Sequence, residues 1–156
     1  MSVEVGVTVR AGDWGEEAAA IAAEAARLAL REAPAGSVVD IALTDDDEQR
    51  RLNRAYRGKD APTNVLAFSA ADPQRPPPPG APLLLGDVVL ALTTIRAEAE
   101  AQGKPLADHL RHLVVHGVLH LLGADHDEPA AAAAMEAREI AILAEMGVPD
   151  PYRDTI

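Results

Sequence analysis

The sequence contains no cysteine and few aromatic residues. Without cysteine, the chain forms neither a disulfide nor a thiolate metal site, so any metal must be held by nitrogen and oxygen ligands. One tryptophan, one phenylalanine and two tyrosines are too few for the extended aromatic platform that many single-strand nucleic-acid binders use. Any nucleic acid would therefore have to be recognised in a local cleft.

Signals for membranes and secretion are also lacking. No apolar stretch approaches the roughly 18 residues of a membrane helix. The first ten residues, MSVEVGVTVR, lack the basic and apolar regions of a signal peptide. The net charge of −11 argues against a nonspecific binder of polyanions. These absences predict a cytoplasmic protein that does not engage a membrane.

The hydrophobic patterns predict a single domain spanning residues 1–156. Strands are predicted at 3–9, 38–43, 64–69 and 83–92. Helices are predicted at about 13–33, 44–56, 93–102, 106–122 and 129–146. Asp13 with Glu16, and Thr44 with Asp47, resemble helix-capping pairs. The strand–helix–strand order at the start of the chain favours parallel pairing of the first two strands.

A proline-rich segment at 70–82 separates the third and fourth predicted strands. It contains the run ADPQRPPPPGAP. Proline cannot donate to a sheet ladder, so this segment is predicted to be an exposed, semi-rigid surface loop.

The most informative pattern is a group of three histidines in the run HGVLHLLGADH. His116 and His120 lie four residues apart, so on a helix their side chains point the same way and can share one ion. Gly123 can adopt a left-handed conformation that turns the chain, and His126 can then complete a set of three imidazoles. Three imidazoles with an open fourth position are typical of a catalytic zinc site, where bound water is activated near neutral pH. His109 and His112 lie on the same helical stripe but are not predicted as ligands.

Two other classes of protein remain open at this point. The spacing HxxxHxxGxxH is shared with the metzincin proteases, whose general-base glutamate directly follows the first histidine. Here that position is Gly117, so a metalloprotease would need a substitute base. A non-enzymatic protein with a structural zinc would need a fourth protein ligand.

Further candidate site residues are charged. Five of the 14 basic residues lie within ten positions, at Arg50, Arg51, Arg54, Arg57 and Lys59. Arg57 and Lys59, predicted to follow the second helix, are the better candidates for phosphate contacts, while a solvated helix face is the alternative for the cluster. Arg54 and Lys59 are predicted to hold substrate backbone.

Two aspartates complete the candidate set. Asp125 could orient an imidazole or accept a proton, and Asp87, in the run LGD, could lie near the site. A structural turn role is the alternative for both.

The chain resembles the YbeY family of bacterial endoribonucleases, which act in ribosomal RNA maturation. HGVLHLLGADH resembles the family's signature, and LNRAYRGKDAPTNVLAF and LLGDVVLA resemble two further motifs. MEAREIAILAEMG followed by PDPY resembles the family's C-terminal helix and tail. The resemblance covers about residues 40–153. The chain departs from the family pattern at Ala67 and Ser69, where serine and proline are usual.

The resemblance implies an α+β fold in which about five helices surround a mixed sheet of about four strands. It implies one zinc ion on His116, His120 and His126, with Arg57 and His116 essential for activity. The implied substrate is single-stranded precursor ribosomal RNA, with the small ribosomal subunit or assembly proteins as partners and a role in ribosome quality control. If the zinc is structural rather than catalytic, the alternative is a non-enzymatic ribosome-assembly factor.

Overall fold

The computed structural model describes residues 2–70, 74–75, 77–124 and 126–152. Within them the chain forms four strands and five helices. In order, these are β1 (Glu4–Val9), α1 (Ala18–Ala29), β2 (Ser37–Thr44), α2 (Asp46–Arg57), β3 (Val65–Ser69), β4 (Leu83–Ala91), α3 (Leu92–Ala101), α4 (Leu106–Leu121) and α5 (Pro129–Glu145).

The four strands form one mixed sheet in the order β1-β2-β4-β3. β1 pairs with β2 in parallel, as the strand–helix–strand order predicts, and β2 also pairs with β4 in parallel. β3 pairs with β4 in the antiparallel sense and is an edge strand. The expected α+β class and mixed four-stranded sheet are confirmed.

The core lies between the sheet and the helices α1 and α4. Val39, Ile41 and Leu43 alternate along β2 and are buried, as the two-residue period of a strand requires. The apolar face of α4, including Val114 and Val118, packs into the same core. Burial of α4 on this side of the sheet carries its histidines to the neighbourhood of β3 and β4.

Two predicted helix starts are wrong. α1 begins at Ala18 rather than after Asp13, because Gly15 has a φ of 81° and breaks the helical path. α1 also ends at Ala29, four residues before the predicted end. α2 is capped by Asp45, whose carboxylate accepts a hydrogen bond from the Glu48 backbone amide, because Thr44 is still part of β2.

The proline-rich segment 70–82 connects β3 and β4. Its described residues are 70, 74–75 and 77–82, and all of these are exposed except Ala81, which is half-buried. Among the described residues, every helix is too short or too polar to cross a lipid bilayer.

Candidate metal centre

The three histidines are brought together by the end of α4 and the turn that follows it. His116 and His120 lie on the last turns of α4, and Gly123 then adopts a φ of 97°. The amide of Ala124 donates to the carbonyl of Leu119, which closes the turn. This left-handed turn reverses the chain and returns His126 towards the helix.

The imidazoles converge closely. One ring nitrogen from each of His116, His120 and His126 lies within 4.8 Å of the others. The His116 and His120 Nε2 atoms are 3.2 Å apart, and the ring of His126 lies 4.9 Å from that of His120. His126 is exposed and the other two are half-buried, so the group faces solvent on one side. This arrangement could hold one metal ion with a position left open.

A buried carboxylate, which the sequence analysis did not single out, supports the first of these histidines. Glu139 of α5 is fully buried, and its Oε1 lies 3.0 Å from His116 Nδ1 and 3.0 Å from His112 Nε2. The Tyr152 hydroxyl donates to both of its oxygens. The sequence signal was a glutamate at helical spacing between the apolar residues Met135 and Ile142.

The charge of Glu139 determines which nitrogen of His116 carries the proton. Burial opposes ionisation of Glu139, but hydrogen bonds from His112 and His116 outweigh it and lower the pKa to about 2. An ionised carboxylate only accepts hydrogen bonds, so His116 Nδ1 carries a hydrogen and its N–H donates a hydrogen bond to Glu139. The lone pair of His116 Nε2 is thereby directed at the histidine group, as in many metal-ligating histidines.

The two remaining histidines of α4 lie outside the group of three. His109 is buried, and its Nε2 lies 2.9 Å from Glu98 Oε1. Burial lowers the pKa of His109, although the hydrogen bond to Glu98 opposes this shift. His112 forms a hydrogen bond with Glu139 and does not join the group of three imidazoles. It therefore helps to position the Glu139 carboxylate.

A cleft of about 810 Å³ opens beside the histidines. Its described lining comprises Tyr56, Arg57, the segment 63–69, Gly117, Leu121 and the three histidines. Arg57 is the lining residue with a full positive charge, and no carboxylate is among the described lining residues. The described part of the lining therefore carries a positive charge, although the chain as a whole is acidic.

Arg57 reaches this cleft from the C-terminal end of α2. Arg57 is the last residue of α2, rather than lying beyond the helix, and Gly58 then adopts a φ of 70°. The backbone amide of Gly58 donates a hydrogen bond to the Arg54 carbonyl, and the Asn53 side-chain amide donates one to the Ala61 carbonyl at 2.8 Å. These two hydrogen bonds hold the loop that follows the helix. Within the described residues, Arg57 makes no ion pair, whereas Arg50 pairs with Asp60.

The other candidate residues are placed differently. Arg54, Lys59 and Asp87 are exposed and are not among the residues that line the cleft. Asp125 lies outside the described residues.

The LGD run has a structural explanation. Gly86 has a φ of 142°, and a Cβ there would lie 2.0 Å from the Phe68 carbonyl oxygen. A glycine is therefore needed for β3 to approach β4, and β3 in turn lines the cleft.

Packing also explains Gly117, where a metzincin has its catalytic glutamate. Gly117 is buried, and a Cβ at this position would lie 2.7 Å from Val88 Cγ1 and 3.2 Å from Val88 Cγ2. The position allows α4 to approach β4 closely and has no room for a glutamate stem. This geometry weighs against a metzincin-like site.

Gly117→Ala is expected to lower the free energy of unfolding by up to about 2 kcal/mol. Overpacking against the stiff Val88 side chain costs about 1–3 kcal/mol, and alanine recovers about 1 kcal/mol through helix propensity. Urea denaturation monitored by circular dichroism measures the difference.

The matched control is Val88→Ala, alone and combined with Gly117→Ala. Val88→Ala removes the clashing methyl groups, so the double variant should lose less stability than the sum of the two single variants. Strictly additive losses in the double variant would contradict the packing explanation.

Comparison with known proteins identifies the family. The family model described as Endoribonuclease YbeY matches residues 8–147. An Endoribonuclease YbeY of Paramagnetospirillum magneticum is 50% identical over 159 residues, covering 97% of each chain. One of Halorhodospira halophila is 51% identical over 121 residues, covering 76% of this chain and 77% of the relative.

The fold has a counterpart among solved structures. The solution structure of TM1509 from Thermotoga maritima superposes with a TM-score of 0.61 at 20% identity, covering 96% of this chain and 99% of that chain. At this identity the likeness concerns the fold alone. Since the family model spans most of the chain and the relatives match at about half identity, this protein belongs to the YbeY endoribonuclease family.

Proposed function

We propose that this protein is a zinc-dependent endoribonuclease. The observation that carries the proposal is one cleft that brings Arg57 together with three convergent imidazoles, those of His116, His120 and His126. Membership of a family whose members are named endoribonucleases supports RNA as the substrate.

The residues fit a zinc ion. Zinc accepts imidazole nitrogens, and three protein ligands with an open position are the pattern of catalytic rather than structural zinc. The described part of the chain offers a group of three donors here, which favours the catalytic pattern. When bound, zinc supplies a Lewis acid and an activated water at neutral pH.

The chain's own groups would bind and orient the RNA. Arg57 presents a planar guanidinium fork that can donate hydrogen bonds to two phosphate oxygens. Its positive charge would stabilise the negative charge that develops as the phosphodiester is attacked. His116 holds its Nε2 lone pair towards the metal position because Glu139 accepts a hydrogen bond from the N–H at Nδ1. The positive charge of Arg57 in the described lining favours the entry of a phosphate.

We propose precursor ribosomal RNA in the cytoplasm as the substrate, cut where it is single-stranded, with a role in ribosome quality control. Arg54 and Lys59 are proposed to contact its backbone outside the cleft, since both are exposed near Arg57. A net charge of −11 gives the chain little general affinity for RNA. The small ribosomal subunit or assembly proteins are therefore proposed as partners that supply additional affinity.

Two nucleophiles are chemically compatible with the cleft, and their products differ. Attack by the RNA 2′-hydroxyl on phosphorus expels the 5′-oxygen and leaves a 2′,3′-cyclic phosphate. Attack by water leaves a linear phosphate on one fragment and a hydroxyl on the other. Analysis of the fragment ends distinguishes these two routes.

Removal of the metal is expected to abolish RNA cleavage. Protein treated with a chelator and dialysed should cut a single-stranded RNA at background rate, and addition of one equivalent of Zn²⁺ should restore cleavage. Gel analysis of an end-labelled RNA provides the measurement. Zinc-loaded protein that binds RNA without cutting it would instead support an assembly factor with a structural zinc.

A peptide substrate tests the metalloprotease alternative in the same samples. β3 is an edge strand, and residues 63–69 line the cleft, so an extended peptide could pair with it. Because Gly117 replaces the catalytic glutamate, we expect no zinc-dependent peptide release. Peptide cleavage without RNA cleavage would overturn the proposed function.

A further inference from the structure

Two of the four aromatic residues of the chain lie together in the cleft. Tyr56 and Phe68 both line it, with ring centroids 5.1 Å apart and an interplanar angle of 60°. This edge-to-face arrangement is a favourable geometry for aromatic pairs. The small aromatic content of the sequence is thus partly concentrated at the candidate site.

Packing alone does not account for Tyr56. A ring that serves only to dock α2 on β3 would be covered by its neighbours, yet Tyr56 is 70% exposed. Phe68 is half-buried and supports one side of the pair. The Tyr56 side chain therefore contacts Phe68 on one side and is open to solvent over most of its surface.

The position of Tyr56 in the chain relates it to the phosphate contact. Tyr56 directly precedes Arg57, so their Cα atoms are about 3.8 Å apart. Both belong to the last turn of α2, whose following loop is fixed by the Arg50–Asp60 ion pair and by Gly58. An aromatic ring and a guanidinium held this close can contact the base and the phosphate of neighbouring nucleotides.

We propose that Tyr56, supported by Phe68, is a stacking platform for one unpaired RNA base next to the phosphate bound by Arg57. The inference rests on the proposed function, because it takes RNA as the occupant of the cleft. Stacking on an aromatic side chain requires a base with a free face. A base inside a duplex offers none, so Tyr56 contributes to the choice of single strands.

Binding of a labelled oligonucleotide tests the platform independently of cleavage. The probe is a single-stranded 2′-O-methyl oligoribonucleotide carrying one 2-aminopurine, titrated with zinc-loaded protein and checked for integrity afterwards. Tyr56→Ala is expected to weaken binding about 5- to 100-fold and to remove the fluorescence quenching that stacking causes. Tyr56→Phe retains the ring and should stay within about twofold of the unaltered protein.

Leu84→Ala is the matched control, because Leu84 is 58% exposed on β4 and does not line the cleft. It should leave affinity and quenching unchanged. An abasic site in place of 2-aminopurine tests the same contact from the RNA side. It should weaken binding to the unaltered protein but add no loss to Tyr56→Ala, and duplex RNA should not distinguish the two proteins.

The outcomes separate this inference from the proposed function. If the unaltered protein cuts RNA while Tyr56→Ala binds and quenches like it, the platform is wrong and the nuclease assignment stands. If Tyr56→Phe loses as much affinity as Tyr56→Ala, the hydroxyl rather than the ring acts, and the platform is again wrong. If the zinc-loaded protein neither binds nor cuts single-stranded RNA, both proposals fail.

Discussion

His120→Ala is expected to remove both the metal and the RNA cleavage of this protein. His120 lies in the middle of the group, with its ring 4.6 Å from that of His116 and 4.9 Å from that of His126. Two imidazoles without the third leave a zinc ion with too few protein ligands for a stable catalytic site. Zinc content by mass spectrometry should fall from about one per chain to near zero, and cleavage should fall to background.

Two further variants show whether a loss of zinc is specific to the three histidines. His109→Gln changes a histidine of the same helix that contacts Glu98 instead of the group, so its zinc content should be unchanged. Glu139→Gln keeps all three imidazoles but weakens the acceptor for His116, and its zinc affinity should fall about 10- to 100-fold. Full zinc content in His120→Ala would show that the three histidines do not form the metal site.

Arg57→Ala is expected to keep the metal and lose cleavage by about 10²- to 10³-fold. The guanidinium lines the cleft but is not a metal ligand, so zinc content should remain near that of the unaltered protein. The loss corresponds to the removal of one preorganised donor at developing negative charge, about 2.7–4 kcal/mol. Single-turnover cleavage of a short single-stranded RNA, with zinc content measured on the same sample, provides the test.

Arg51→Ala is the matched control, since Arg51 is exposed on the same helix and does not line the cleft. It should cut RNA at nearly the normal rate. Arg57→Lys retains the charge without the planar fork and should recover only part of the lost rate. Normal cleavage by Arg57→Ala would refute the role assigned to Arg57.

The strands and most helices could be predicted from local pattern because apolar residues recur or cluster along them in ways typical of each element. The period-two valines of β1 and the apolar stripe of α4 carry this information in short windows. The errors fell at helix boundaries, and two of them were helix starts. There, a capping motif at Asp13 competed with the conformation of Gly15, and Thr44 was already engaged in a strand.

The pairing of β3 with β4 was not predicted, although both strands were. Antiparallel pairing across the proline-rich segment depends on the close approach that Gly86 permits at the Phe68 carbonyl. The spacing of apolar residues along the sequence does not reveal such a contact between two backbones. It matters for function because β3 forms one wall of the cleft.

The sequence by itself determined which histidines converge, since His116 and His120 share a helix face and Gly123 allows His126 to return. These relations act over a few residues, and elementary helix geometry is sufficient to read them. Only the tertiary structure decided what surrounds the imidazoles. Arg57 and Tyr56 come from α2 and Glu139 comes from α5, so their meeting depends on how helices pack around the sheet rather than on any local pattern.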